Sequence, residues 1–351
     1  MLHHGRRGLL SKGASTPTTT YYVAVAHATS PYVTAYPWDD TTGFGTKFSN
    51  PGTLPAGTGR SVAFTSSGDA IAVGHLTSPF LTTYPWSSSG FGTKFSNPAA
   101  LPANACYGVS FTAAGDAVAA AVATSPFVNA YPWSSSGFGT KFSNPGTLPV
   151  TAGNGVAFTA AGDAVAVACS GSPYIRAYPW SSSGFGTVFA DPATLPVGAG
   201  WGVAFTAAGD AIAVVHNSSP YVSTYPWSSS GFGAKFSNPG TSPGAACYGV
   251  AFSPAGTEIA VAHGNSPFVS AYPWSSSGFG TKFSNPATLP ASSALGVAFA
   301  TTGLALGVAH FNSPYVTAYP WSSSGFGTKY SNPGTLPTGN AYGIAFGKIT
   351  A

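Results

Sequence analysis

The sequence predicts an all-β fold, a seven-bladed β-propeller of four-stranded antiparallel blades, and three observations carry that prediction. The triplet Tyr-Pro-Trp recurs seven times, ending at Trp38, Trp86, Trp133, Trp180, Trp227, Trp274 and Trp321, with one step of 48 residues and then steps of 47. Each period holds four short strand-like runs separated by turn residues, the beat of propeller blades. The two ends of the chain hold complementary fragments of a single unit, the one that contains Trp38.

Within the best-formed copy the elements follow in order. The first strand is "YGVAFS" from Tyr248, closed by the turn "PAG"; the second is "EIAVAH", ending at His263 and followed by "GNSP". The third is "FVSAYPW", ending at Trp274, and a Ser/Gly loop leads to the fourth, "GTKFSNP", before the Pro-broken connector "ATLPASSA". Turn chemistry of this kind punctuates strands. The inner strands are nearly continuous apolar runs, as expected where both sheet faces are covered by neighbouring blades. Small residues such as Gly249, Ala251 and Ala260 suit strands crowded near an axis.

The seam completes the count. Residues 21–38 begin with a second strand that lacks its first, and residues 342–347, "YGIAFG", form a first strand that lacks its second. Pairing them closes the ring one-plus-three and removes the free edges that invite aggregation. The chain therefore divides into an extension, residues 1–19, and a propeller, residues 20–351.

Composition narrows the function classes. Charged residues are 6% of the 351, while hydrophobics are 44% and aromatics 14%, so the 45 Gly and 30 Pro mark turns rather than disorder. The formal charge is +4, and Arg6, Arg7 and Lys12 supply three of the cations, which disfavours a nucleic-acid binder. Cys106, Cys169 and Cys247 are odd in number and widely spaced, giving neither a disulfide framework nor a metal-type pair. No apolar run approaches the roughly 20 residues of a membrane span. The start "MLHHGRRGLLSKGAS" has no apolar core of a secretory signal. No cofactor and no metal are expected.

The stretch "GVAFSPAGTEIAVAH" at residues 249–263, with "NSPFVSAYPW", "TKFSNPATLP" and "GVAF", resembles WD40-type repeats, in a subgroup frequent among bacteriophage and prophage structural proteins. The resemblance covers residues 21–347. Most blades lack the Trp-Asp dipeptide and the Gly-His opening of that family, so Tyr/Trp packing is expected to replace its hydrogen-bond tetrad. The resemblance implies a non-catalytic binding and structural module of a virion, on tail, fibre or capsid surface, displaying a recognition face. Residues 1–19 would then anchor it to other virion proteins, with Arg6, Arg7, Leu9 and Leu10 as the anchoring groups, and the variable face would meet a host-surface glycan or protein. A lectin-like multivalent propeller and an intracellular protein-interaction scaffold are the alternatives.

Candidate sites come in four rings. His27, His75, His216, His263 and His310 end the second strands, with Val122 and Cys169 in the other two blades. With strands ~4.8 Å apart, equivalent positions lie about 10 Å from one another, too far for one zinc whose donors sit ~2.1 Å away. A structural, half-buried histidine bonded to a loop is expected. Lys47, Lys94, Lys141, Lys235, Lys282 and Lys329, with Val188 as the exception, suit an outer edge strand guarded against pairing. The seven YPW tryptophans fit either inter-blade wedges or sugar-stacking pockets. The fourth ring varies: Arg60, Tyr107, Asn154, Trp201, Tyr248, Leu295 and Tyr342 follow the fourth-to-first connectors, at the expected mouth of the central channel. The neighbouring loops "HAT", "HLT", "VAT", "CSG", "HNS", "HGN" and "HFN" diverge on the same face. Such a composition suits a binding surface, and drift in tolerant loops is the other reading.

No linear motif argues for catalysis. Asp69, Asp116, Asp163 and Asp210 follow a Gly in hairpin turns; Asp39, Asp40, Asp191 and Glu258 show no pairing; and no nucleophile elbow, H-E-x-x-H or phosphate loop occurs. The sequence thus leads to the expectation of no enzyme and no catalytic residue.

Overall fold

A computed structural model describes residues 19–350. Those residues form seven four-stranded antiparallel sheets. The first blade combines Ala341–Thr350 with Thr19–His27, Val33–Asp39 and Gly43–Phe44, so the chain's last strand is the innermost strand of its first blade. The second blade is Gly59–Phe64, Ala70–His75, Leu81–Ser87 and Gly90–Phe91, and the other five repeat its plan. The predicted one-plus-three closure is present, and it is longer than residues 342–347. The extension expected at residues 1–19, with Arg6, Arg7, Leu9 and Leu10, lies outside the described residues, except that Thr19 opens a strand.

The fourth strands depart from expectation. Each is only a Gly-Phe pair preceding the predicted "GTKFSNP", as in Gly278–Phe279. The reason is the proline of YPW, which has no N–H to offer an outer neighbour. Beyond the pair, the outer segment touches the third strand through isolated bonds, Gly280 N–H to Pro273 O at 2.8 Å and Phe283 N–H to Ala271 O at 3.0 Å.

The core lies between blades rather than within them. One cluster joins Tyr22, Ala24 and Val33 of the first blade to Ile71, Val73 and Trp86 of the second, and six more repeat around the ring. Each YPW triplet divides the labour. Tyr84 is fully buried and donates its hydroxyl to Thr53 O of the preceding connector at 2.7 Å. Burial raises its pKa above the ordinary phenol value. Trp86 takes edge-on contacts from Phe48 of the preceding blade and from Phe64 and Phe91 of its own, with centroids 4.9–5.2 Å apart, a favourable aromatic geometry.

Candidate ligand site at the channel mouth

The variable ring is displayed by seven β-bulges. In each blade the register between first and second strands slips by one residue near the top: between Gly59 and Ser61, Cys106 and Gly108, Gly153 and Gly155, and equivalently elsewhere. The residue skipped is Arg60, Tyr107, Asn154, Trp201, Tyr248, Leu295 or Tyr342. A bulge frees one residue from the ladder and re-aims its side chain. All seven side chains converge on one cavity of about 350 Å³, joined by Ser293 and Phe311.

The next residue in each strand crowds the channel beneath. Gly108, Gly155, Gly202, Gly249, Gly296 and Gly343 form a collar in which a Cβ would stand 2.7–3.1 Å from the neighbouring blade's backbone. Ser61 completes the collar, its Oγ accepting from Val109 N–H at 3.1 Å. The cavity is therefore a cup over a narrow collar.

The cup is polar on one side and aromatic on the other. Arg60 holds its guanidinium 4.0 Å over the Tyr342 ring and 5.5 Å from that of Tyr107, a cation–π arrangement. Burial lowers its pKa from the ordinary guanidinium value while both tyrosines oppose the shift. Among the described residues no carboxylate lies within ion-pair distance of Arg60. Asn154 is fixed by donating to Gly200 O at 2.7 Å and to Ser170 Oγ at 3.0 Å. On the far arc Trp201 meets Tyr248 edge-on at 5.7 Å, and the Trp201 indole N–H is buried without a partner.

The other rings lie elsewhere. The seven YPW tryptophans are 4–8% exposed and wedged among phenylalanines, so no ring face is open to a sugar. The five histidines are completely buried rather than half-buried, and each Nε2 meets a third-strand hydroxyl of its own blade, as His75 meets Thr82 at 2.9 Å. The lysines stand past the short fourth strands, where each donates to an Asn carbonyl three residues on, at 2.6 Å from Lys329 to Asn332. Asp69, Asp116, Asp163 and Asp210 accept from turn threonines at 2.6 Å. Ser293 and Phe311 joined the site without being anticipated. Phe311 is the lone aromatic among the seven diverging loops, a signal visible in "HFN".

Among the described residues no helix is long and apolar enough to cross a membrane. No protein-family model and no curated protein matches the chain. Solved structures do match in fold. A Bacteroides fragilis protein provisionally named 6-phosphogluconolactonase aligns with a TM-score of 0.74 and 11% identity, over 93% of this chain and 98% of its own. The Pseudomonas aeruginosa periplasmic gluconolactonase aligns at 0.70 and 15% identity, over 93% and 99%. A Bacteroides uniformis protein, also provisionally named 6-phosphogluconolactonase, aligns at 0.72 and 11%, over 93% and 99%. At these identities the likeness shows the fold, a seven-bladed propeller, and no link to WD40 or phage proteins accompanies it.

Two expectations are corrected here. The non-catalytic virion module, with its lectin and scaffold alternatives, gives way because three of the propellers matched over nearly their full length carry lactonase names and none of these structures is named as a phage component. The expectation of no enzyme falls with it. The physical reason is that the cup draws one side chain from each of seven strands 47 residues apart, so no linear motif could announce it.

Proposed function

We propose that the chain is a lactone hydrolase whose cup at the channel mouth holds a small lactone ring. The observation that carries this reading is Arg60, a half-buried guanidinium with no carboxylate partner among the described residues, facing a cavity of about 350 Å³. The names of the matched propellers supply the substrate class. In this reading Arg60 holds the lactone carbonyl oxygen and takes up the charge that develops there as water adds to the carbonyl carbon. The ring C–O bond then breaks, the proton of the attacking water passes to the departing alkoxide, and a hydroxy acid leaves. Neither carboxylate nor imidazole lines the cup, so activation rests on polarising the carbonyl rather than on a general base. Trp201 and Tyr248 offer the opposite wall for the ring.

The test is acid release in a pH-stat from glucono-δ-lactone and δ-valerolactone, measured over the spontaneous rate. Wild type should accelerate at least one of them, and Arg60→Met should lower that rate by about 10²-fold. No acceleration of either, or a fully active R60M protein, would remove the proposal.

A further inference from the structure

The cup is not seven-fold symmetric. Ser293 and Phe311 reach it in only one blade, the blade whose bulge residue is Leu295. The bulge residues on either side, Tyr248 and Tyr342, are aromatic and longer. The shorter side chain opens the wall sideways toward the one adjoining loop that carries a phenylalanine, Phe311. That loop is tied down: Phe311 N–H donates to Ser293 O at 3.0 Å, Ser292 Oγ donates to Phe311 O, and the Phe311 ring meets Tyr342 edge-on at 5.6 Å. The result is a fixed, largely apolar lobe lined by Leu295, Phe311 and the Tyr342 ring, with Ser293 beside it and Arg60 over the Tyr342 ring at 4.0 Å.

We infer that this lobe selects an apolar substituent on the ring held in the cup. The inference rests on the reading of the cup as a lactone site and narrows it. The preferred substrate is a lactone bearing an alkyl or aryl group, rather than a ring hydroxylated at every carbon. Apolar walls discriminate by the area they remove from water, and each well-fitted methylene in such a pocket contributes measurably to selectivity.

The experiment compares δ-valerolactone with δ-decalactone, the same six-membered ring without and with a pentyl chain. For wild type, kcat/KM should favour δ-decalactone by at least about 10-fold. Leu295→Tyr places in this blade the residue that three others carry at the same position, so the fold accommodates it, and the ratio should fall to near one. Equal use of both lactones by wild type, or a ratio unchanged in L295Y, overturns the inference. Should neither lactone be hydrolysed while glucono-δ-lactone is, the inference is overturned and the hydrolase reading stands; should glucono-δ-lactone be untouched as well, the hydrolase reading fails, and the lobe is read separately by calorimetric binding of benzoate and 4-pentylbenzoate. Tighter binding of the pentyl compound, lost in L295Y, then supports the lobe; equal binding sinks it.

Discussion

His75 and Thr82 behave as one unit, and the exceptions among the blades make that visible. Five blades pair a histidine Nε2 with a Thr or Ser hydroxyl seven residues on, at 2.8–3.1 Å. Where Val122 replaces the histidine, the hydroxyl becomes Asn129, which accepts from Ala103 N–H at 3.1 Å. Where Cys169 replaces it, the position becomes Arg176, paired with Asp191 at 3.6 Å, and the usual lysine becomes Val188. Both partners change together because a buried polar group left without its bond costs about 1–3 kcal/mol. Burial also holds His27, His75, His216 and His263 down to a pKa of about 4, with nearby backbone groups raising it and nearby lysines lowering it further. The unfolded chain therefore takes up protons first as pH falls below 6.5, and stability that is whole above that pH is lost progressively toward pH 4. Thermal midpoints measured from pH 7.5 to 4.5 should drop steeply over this window. The double variant His75→Val with Thr82→Asn, which copies residues 122 and 129, should drop less; an identical profile would mean the histidines do not set the acid limit.

The bulge and the collar glycine beside it form the element that builds the site. The collar admits the neighbouring strand only because six of its seven residues lack a side chain, with Gly202 facing Tyr248 O where a Cβ would stand at 2.8 Å. A backbone carbonyl cannot swing aside as a side-chain tip can. Gly202→Ala should thus cost about 1–3 kcal/mol, read from urea denaturation, while Ser61→Gly, which gives up one hydrogen bond, should cost about 1 kcal/mol. Equal stability of G202A and wild type would show that the collar is looser than its geometry states. This element also marks how far the sequence was legible. The first three strands could be read because continuous apolar runs record burial on both faces. The fourth shrank to Gly-Phe because the proline's missing N–H acts on a neighbouring strand, not on its own. The seven rim positions were legible as variation on a fixed period. That they are bulges was not, since a bulge is a hydrogen-bond slip with no local signature, and the Phe311 contact with Tyr342 is made only after the ring closes.

At the scale of the whole molecule, the closing strand does more than cover an edge. Ala341–Thr350 makes nine register pairs with Thr19–His27. Its two faces then enter two different cores: Ile344 and Phe346 pack with Ala305, Ala309 and Val316 of the last blade, while Ala345 and Ile349 pack with Val62, Ile71 and Val73 of the second. Tyr342 and its neighbour Arg60 also complete the cup across this seam. Because every core lies between blades, an open ring leaves two half-covered apolar faces as well as an unpaired strand. A chain ending at Asn340 should therefore aggregate or lose cooperative unfolding, rather than show a modest fall in midpoint. Adding a synthetic peptide of residues 341–351 during refolding should restore a monomer on size-exclusion chromatography and, with it, whatever ligand binding the cup shows. A truncated chain that stays monomeric with an unchanged midpoint would mean that six complete blades and a three-stranded remnant hold the ring unaided. The shared seam between fold and cup would then carry no consequence for function.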